Sequence, residues 1–164
     1  PEVRRLGGRH RRYATSAMLP PDTLIDFYGD QQIRRLAIET ASIQHLLITH
    51  GHWDHFQPLA IIDFARGLPQ PLQIYGNDMV TDALEFAATH EWQETAKKFG
   101  PASPPADIST HSVAVGRSFD VGNAVVTAVH ADHCIDKMRM VPEQKALNYV
   151  IEKSVADGRS DDPE

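Results

Sequence analysis

The stretch that most restricts this chain is the apolar run Leu46-Leu47-Ile48 followed by Thr49-His50-Gly51-His52-Trp53-Asp54-His55. A short apolar run of this kind reads as a buried strand. The three histidines and one carboxylate between His50 and His55 are groups that ligate zinc and related ions, at roughly 2.0–2.2 Å. In extended backbone alternate side chains share a face, so His50, His52 and Asp54 point one way while Gly51 and Trp53 point the other. His55 breaks the alternation. For all four groups to converge the chain has to turn near Trp53, and Pro58 with Leu59, Ile61, Ile62 and Phe64 beyond it supplies the start of a helix. The segment therefore reads strand, liganding loop, helix. Two other readings compete with it: a histidine-rich surface loop carrying no ion, and a helical motif with ligands at i and i+4. The Leu-Leu-Ile run and Gly51 disfavour the second.

HxHxDH after an apolar strand and a Thr resembles the signature of the metallo-β-lactamase superfamily. Within it the chain looks most like the phosphodiesterase branch related to phosphoribosyl cyclic phosphate phosphodiesterases. That resemblance implies an α/β fold, a metallo-β-lactamase-type αββα sandwich of mixed sheets with flanking helices, here truncated. It covers most of the chain, read as a single domain over residues 1–164 with the C-terminal portion missing. The chain begins at Pro1 without an initiator Met and stops in an acidic stretch soon after an apolar run, which also reads as a fragment.

A chain of 164 residues buries one ordinary core, so one domain is the default. The formal net charge of -6 argues against general nucleic-acid affinity. No segment approaches the ~18 apolar residues of a membrane span, and no signal-peptide pattern opens the chain. The single cysteine, Cys134, excludes an internal disulfide and suits a reducing compartment, which gives a cytoplasmic expectation. A homodimer is left open.

Along the chain, Arg4, Arg5, Arg9, Arg11 and Arg12 make a basic segment, either a solvated terminus or, with Gly7-Gly8 turning the chain, arginines facing an anionic substrate. Ala14 to Leu19 and Leu24 to Phe27 read as strands around Pro20-Pro21-Asp22, and Asp30 to Thr40 as an amphipathic helix. Gln44 to Thr49 is the strand delivering the loop, with His45 structural or solvent-facing. Leu72 to Tyr75 is a short strand and Gly76-Asn77-Asp78 a stop and N-cap. A long helix is expected over Asp78 to Phe99, its stripe formed by Val80, Leu84, Phe86, Ala87 and Ala88. On it His90 and Trp92 line a cleft, or are a partly buried polar face and a core aromatic. Ile108 to Val115 reads as an edge strand with His111 exposed. Phe119 and Ala124 to Val129 read as a strand pair about Val121-Gly122-Asn123, and the chain between Ile135 and Lys145 as a loop near the site mouth.

The resemblance also assigns roles. Asp26, at a strand end matching Ile-Asp in relatives, would orient a ligand histidine through its ring N–H; capping the next helix is the equal alternative. In Ala131-Asp132-His133, with Asn148-Tyr149-Val150-Ile151-Glu152 beyond, His133 is the expected third histidine, ahead of His130. Cys134 is left out. His50, His52 and His133 would hold one ion with a position open to water, as in catalytic zinc sites. Asp54 and His55 would begin a second, and Asp54 would also orient the metal-bound hydroxide and manage its proton. The cofactor is zinc, one or two divalent ions, with manganese as the alternative. Relatives complete the second site with a later Asp and His, for which Asp161 and Asp162 are poor substitutes, so the ligands present suffice for one ion. The function implied is a metal-dependent hydrolase acting on a small phosphodiester. The alternatives are a lactonase or thioester hydrolase of the same fold, or a non-catalytic metal-binding fragment.

Overall fold

The computed structural model describes residues 4–5, 16–29, 39–131 and 146–153. The amphipathic segment over 30–38, the arginines beyond Arg5, His133, Cys134, the 135–145 stretch and the acidic tail lie outside the described residues.

A six-stranded sheet carries the liganding loop. Its first three strands, β1 (Arg4–Arg5), β2 (Ala17–Leu19) and β3 (Thr23–Ile25), pair antiparallel, and β4 (His45–Leu47), β5 (Leu72–Gly76) and β8 (Ile108–Ser112) continue parallel to β3. Parallel strands need crossover connections, and the helices that supply them cover one face. Those helices are α1 (Pro58–Arg66) and α2 (Asp78–Thr89). Alternation along the strands sorts the residues. Leu24, Leu46 and Ile74 point to the helices, meeting Ile61, Ile62, Val80 and Leu84 in a dry core. Leu47 and Tyr75, one residue on, point the other way and meet Val121 and Val126.

Those last two belong to a second, antiparallel sheet of β9 (Ser118–Val121), β10 (Ala124–His130) and β11 (Leu147–Lys153). Gly122, at φ 56°, makes the turn between β9 and β10 in the left-handed region that favours glycine. The order of layers is helix, sheet, sheet, which agrees with the expected mixed α/β sandwich. The outer face of the second sheet presents Val125, Val129 and Val150 among Thr127, Asn148 and Glu152, and no element among the described residues covers it. No helix among the described residues is long and apolar enough to cross a membrane.

The long helix expected over Asp78 to Phe99 is corrected. It ends at Thr89, whose hydroxyl donates back to the Glu85 carbonyl at 2.7 Å, a local bond that competes with helix continuation. β6 (His90–Gln93) and β7 (Lys98–Pro101) then form a hairpin, turning where Lys97 takes a positive φ of 52°. Phe86, placed on the buried stripe by periodicity, is 48% exposed, and Trp92 is 51% exposed rather than a core aromatic. The strand expected over Leu24 to Phe27 ends at Ile25, because Asp26 enters the left-handed region at φ 58°.

Candidate metal centre

Two neighbouring parallel strands deliver the site from their C-terminal ends. Ile25 is in register with Leu47, so the residues leaving β3 and β4, Asp26 and the Ile48–Thr49 pair, run side by side. Beyond them the chain turns at Trp53, Asp54 and His55, where the His55 and Phe56 N–H groups both donate to the His52 carbonyl, at 2.9 and 2.7 Å. The Phe27 N–H donates to the His55 carbonyl at 2.9 Å and ties this turn to the end of β3. Pro58 then opens α1 at its first turn, where its missing N–H leaves no intrahelical bond unmade. Strand, turn and helix thus follow the order read from the sequence.

Asp26 organises the loop. It is buried, 3% exposed, and its carboxylate accepts the Thr49 N–H at 2.7 Å, the Thr49 hydroxyl at 2.8–2.9 Å and the His55 Nδ1–H at 2.7 Å. A carboxylate accepts and does not donate, so His55 carries its proton on Nδ1. The Thr49 hydroxyl has one proton, committed to Asp26. The contact of 2.9 Å between Thr49 Oγ1 and His50 Nδ1 therefore has His50 as donor, and its Nδ1 is protonated as well. Both neutral rings are left with the lone pair on Nε2, the atom a metal would take. One buried carboxylate fixes the tautomers of two imidazoles. A non-glycine residue at positive φ costs about 1–2 kcal/mol, and at Asp26 that strain is held by these bonds.

The rings lie together: His50 to His52 is 4.7 Å between centroids and His50 to His55 is 4.2 Å. Asp54 Oδ2 is 3.5 Å from His55 Nε2. Two ligands bound at 2.1 Å to one tetrahedral ion stand about 3.4 Å apart, so this pair has the spacing of shared ligation. The His55 pKa is raised from the ordinary imidazole value, first by the hydrogen bond to Asp26, with burial opposing and the charges of Asp26 and Asp54 reinforcing.

In chemistry and tautomer the donors suit a divalent ion. Among the described residues, however, no group of three His, Cys, Asp or Glu is placed to hold one ion. A centre of three protein ligands needs a donor from outside them, and the expected His133 lies there. His130 stands at the end of β10, exposed, on the wall of a cavity of about 500 Å³ shared with Asn77, Asp78, Ser112, Val113 and Leu147.

Two supports behind the loop were not assigned such roles in the sequence. The Leu147 N–H donates to the Thr49 carbonyl at 2.8 Å, and the Tyr149 hydroxyl donates to the Ile48 carbonyl at 2.8 Å, so β11 braces the strand end that carries His50. Burial and the nearby Asp26 charge push the Tyr149 phenol up and keep it protonated as a donor. Gly51 lies against Met79 at the start of α2, where a Cβ in its place would come within 2.7 Å of the Met79 methyl. His45, at the start of β4, and His111, opposite Tyr75 in β8, have their rings against Tyr75 rather than against the loop's histidines.

Residues 21–159 match the family described as the beta-lactamase superfamily domain. Among solved structures the chain resembles the short form of human tRNase Z (18% identity, TM-score 0.61, covering 92% of this chain and 64% of that one). It also resembles YhfI, a metallo-beta-lactamase fold protein from Bacillus subtilis (14%, 0.59, 91% and 57%). A third is Zn(2+)-bound PqqB from Methylobacterium extorquens (16%, 0.58, 85% and 49%). At these identities the likeness concerns the fold. The chain spans about half the length of the first of the solved structures it resembles, 53% and 50%. No curated protein matches.

Proposed function

This chain belongs to the beta-lactamase superfamily, and from that premise we propose that it carries the metal-binding half of a metal-dependent hydrolase acting on a small phosphodiester. His50 and His52 would hold the first ion with His133, and Asp54 and His55 would take part in the second. The single observation that carries this reading is the Asp26–Thr49 network, which protonates Nδ1 of both His50 and His55 and leaves Nε2 of each as a donor. A histidine-rich loop with no ion to bind has no need of two imposed tautomers and a strained, buried carboxylate.

A bound divalent ion would supply Lewis acidity and lower the pKa of water to about 7. The chain's own residues do the rest. Asp26 and Thr49 keep Nδ1 of both rings protonated, and Tyr149 and Leu147 hold the strand end against displacement. The half-buried Asp54 carboxylate, 3.5 Å from His55 Nε2, would orient a water and take up its proton.

The test is zinc or manganese stoichiometry by elemental analysis, together with turnover of a chromogenic phosphodiester set beside a lactone and a thioester. Bound metal and preferential phosphodiester cleavage are expected. Faster turnover of the lactone or thioester would move the substrate assignment to carbonyl chemistry within the same fold. A second reading, a metal-binding module without catalysis, is favoured by the lack of a three-donor group among the described residues. Two ions per chain with rapid turnover would eliminate it.

A further inference from the structure

Beside the metal loop, past the C-terminal ends of β5 and β8, lies the cavity of about 500 Å³ on whose wall His130 stands. Two of its wall residues tie it to the loop. Leu147 donates its N–H to the Thr49 carbonyl at 2.8 Å. Asp78 precedes Met79, whose methyl lies against Gly51. Parallel sheets bind their ligands in crevices outside the carboxyl ends of the strands, and a volume between roughly 300 and 1,000 Å³ suits a small molecule.

Alternation along β10 sends His130 there. Ala124, Val126 and Ala128 form the buried row that faces the first sheet, and His130 continues that row past the packed region, where it is exposed. The wall beyond β8 is held in place, since the Val113 N–H donates to the Gly76 carbonyl and the Gly116 N–H to the Ala128 carbonyl, each at 2.8 Å. The lining divides by chemistry. Val113, Val115 and Leu147 are apolar, and Asp78, Ser112 and His130 are polar. Among the described residues, no lysine or arginine lines the cavity.

We propose that this cavity binds the part of the substrate that flanks the reacting phosphate, and that it selects an uncharged, hydroxyl-bearing group, with Asp78 and His130 as specificity-determining residues. Charge and hydrogen bonding set the class. An ionised carboxylate only accepts, so Asp78 calls for a donor and repels an anion. A carboxylate or a second phosphate on the substrate would meet that repulsion with no cation of the lining to offset it. A serine hydroxyl and a neutral imidazole each both donate and accept. A substrate hydroxyl answers them in both directions, whereas an ammonium, which has donors only, answers in one. Val113, Val115 and Leu147 then cover the carbon skeleton. The inference rests on the hydrolase reading in one respect, that the bound molecule is a phosphodiester with its phosphate over the loop.

The test uses methyl phosphodiesters that differ only in their second group: dihydroxypropyl, propyl or carboxyethyl. Each is titrated into the chain with zinc present, and amide chemical shifts report where and how tightly it binds. The dihydroxypropyl diester is expected to shift residues 112–115, 130 and 147 saturably. It should bind at least about tenfold more tightly than the propyl diester, the worth of one hydrogen bond to a charged group, with the carboxyethyl diester weakest. Asp78→Lys should invert the order and put the carboxyethyl diester first, whereas an Asp78 with a merely structural role would weaken all three alike. His130→Ala should cut the dihydroxypropyl advantage at least about threefold. A wild-type chain that does not discriminate among the three overturns the proposal, as do shifts confined to other residues or an Asp78→Lys chain that keeps the original order. Cleavage, followed in the same samples by phosphorus NMR, separates this inference from the hydrolase reading. Binding in the expected order without cleavage upholds the pocket and removes the hydrolase, and cleavage without that order does the reverse.

Discussion

Replacing Asp26 with Asn isolates the part of the site that the structure makes most specific. Asn accepts positive φ at least as readily as Asp, so the backbone at φ 58° is not further strained, and the side chains have nearly the same shape. What changes is that one oxygen becomes an NH₂. The remaining oxygen is needed by the Thr49 N–H, now at 2.7 Å from Oδ1. The new amide then faces His55 Nδ1, which donated to the carboxylate at Oδ2 alone. Donor meets donor unless the protons move. His55 relieves the clash by shifting its proton to Nε2, while the Thr49 hydroxyl keeps the retained oxygen as its acceptor and the His50 tautomer is unchanged. The His55 Nε2 lone pair is lost. Loss of one outer partner of a ligand histidine costs roughly 10- to 100-fold in metal affinity. A drop of about 10- to 100-fold, or about 1.4–2.7 kcal/mol, is expected. Competition with a chelator of known zinc affinity measures it, with far-UV circular dichroism confirming that the variant is folded. An Asp26→Asn protein that is folded and binds zinc within about threefold of wild type would refute the tautomer argument.

Other consequences are more local. Gly76→Ala places a methyl 2.7 Å from Val80 Cγ1 and 3.1 Å from Val80 Cβ; a β-branched neighbour cannot swing away, and a loss of about 1–3 kcal/mol in urea unfolding is expected. Tyr149→Phe removes the donor to the Ile48 carbonyl and should cost about 1–2 kcal/mol of stability, with zinc release faster than in wild type by stopped-flow. The His45 pKa is lowered by burial, with His111 adding to this and Asp22 opposing it. The unfolded chain therefore takes up a proton near the ordinary value of 6.5 that the folded chain resists, and His45 withdraws stability as pH falls below that value. His55, shifted upward, acts in the opposite sense, so the comparison is by difference: His45→Gln should lose less stability than wild type between pH 7 and about pH 5, followed by urea midpoints.

The hairpin shows where periodicity stops informing. Val80, Leu84, Ala87 and Ala88 are buried as a helical stripe demands, but nothing in the letters from His90 onward marks the break except residues that suit a strand as well. The bond of the Thr89 hydroxyl back to Glu85 and the pairing of Trp92 with Phe99 are contacts, and only a folded chain has them. By contrast Asn77 and Pro58 act through their own backbone and side chain. Asn77 caps α2 by accepting the Val80 N–H at 3.0 Å, and Pro58 opens α1, each where the sequence placed it.

The same division runs through the site. Spacing alone determined that His50, His52, Asp54 and His55 sit on one turn between a strand and a helix, because alternation, a turn and a proline at the first helical position are local properties of short segments. Whether Asp26 would hold a ligand ring or cap a helix was open in the sequence. Tertiary structure decided it, by laying β3 parallel to β4 in the register that puts the carboxylate 2.7 Å from His55 Nδ1, across 29 residues of chain. Register between strands is set by side chains packed on both faces of a sheet, and that information is spread over the whole core.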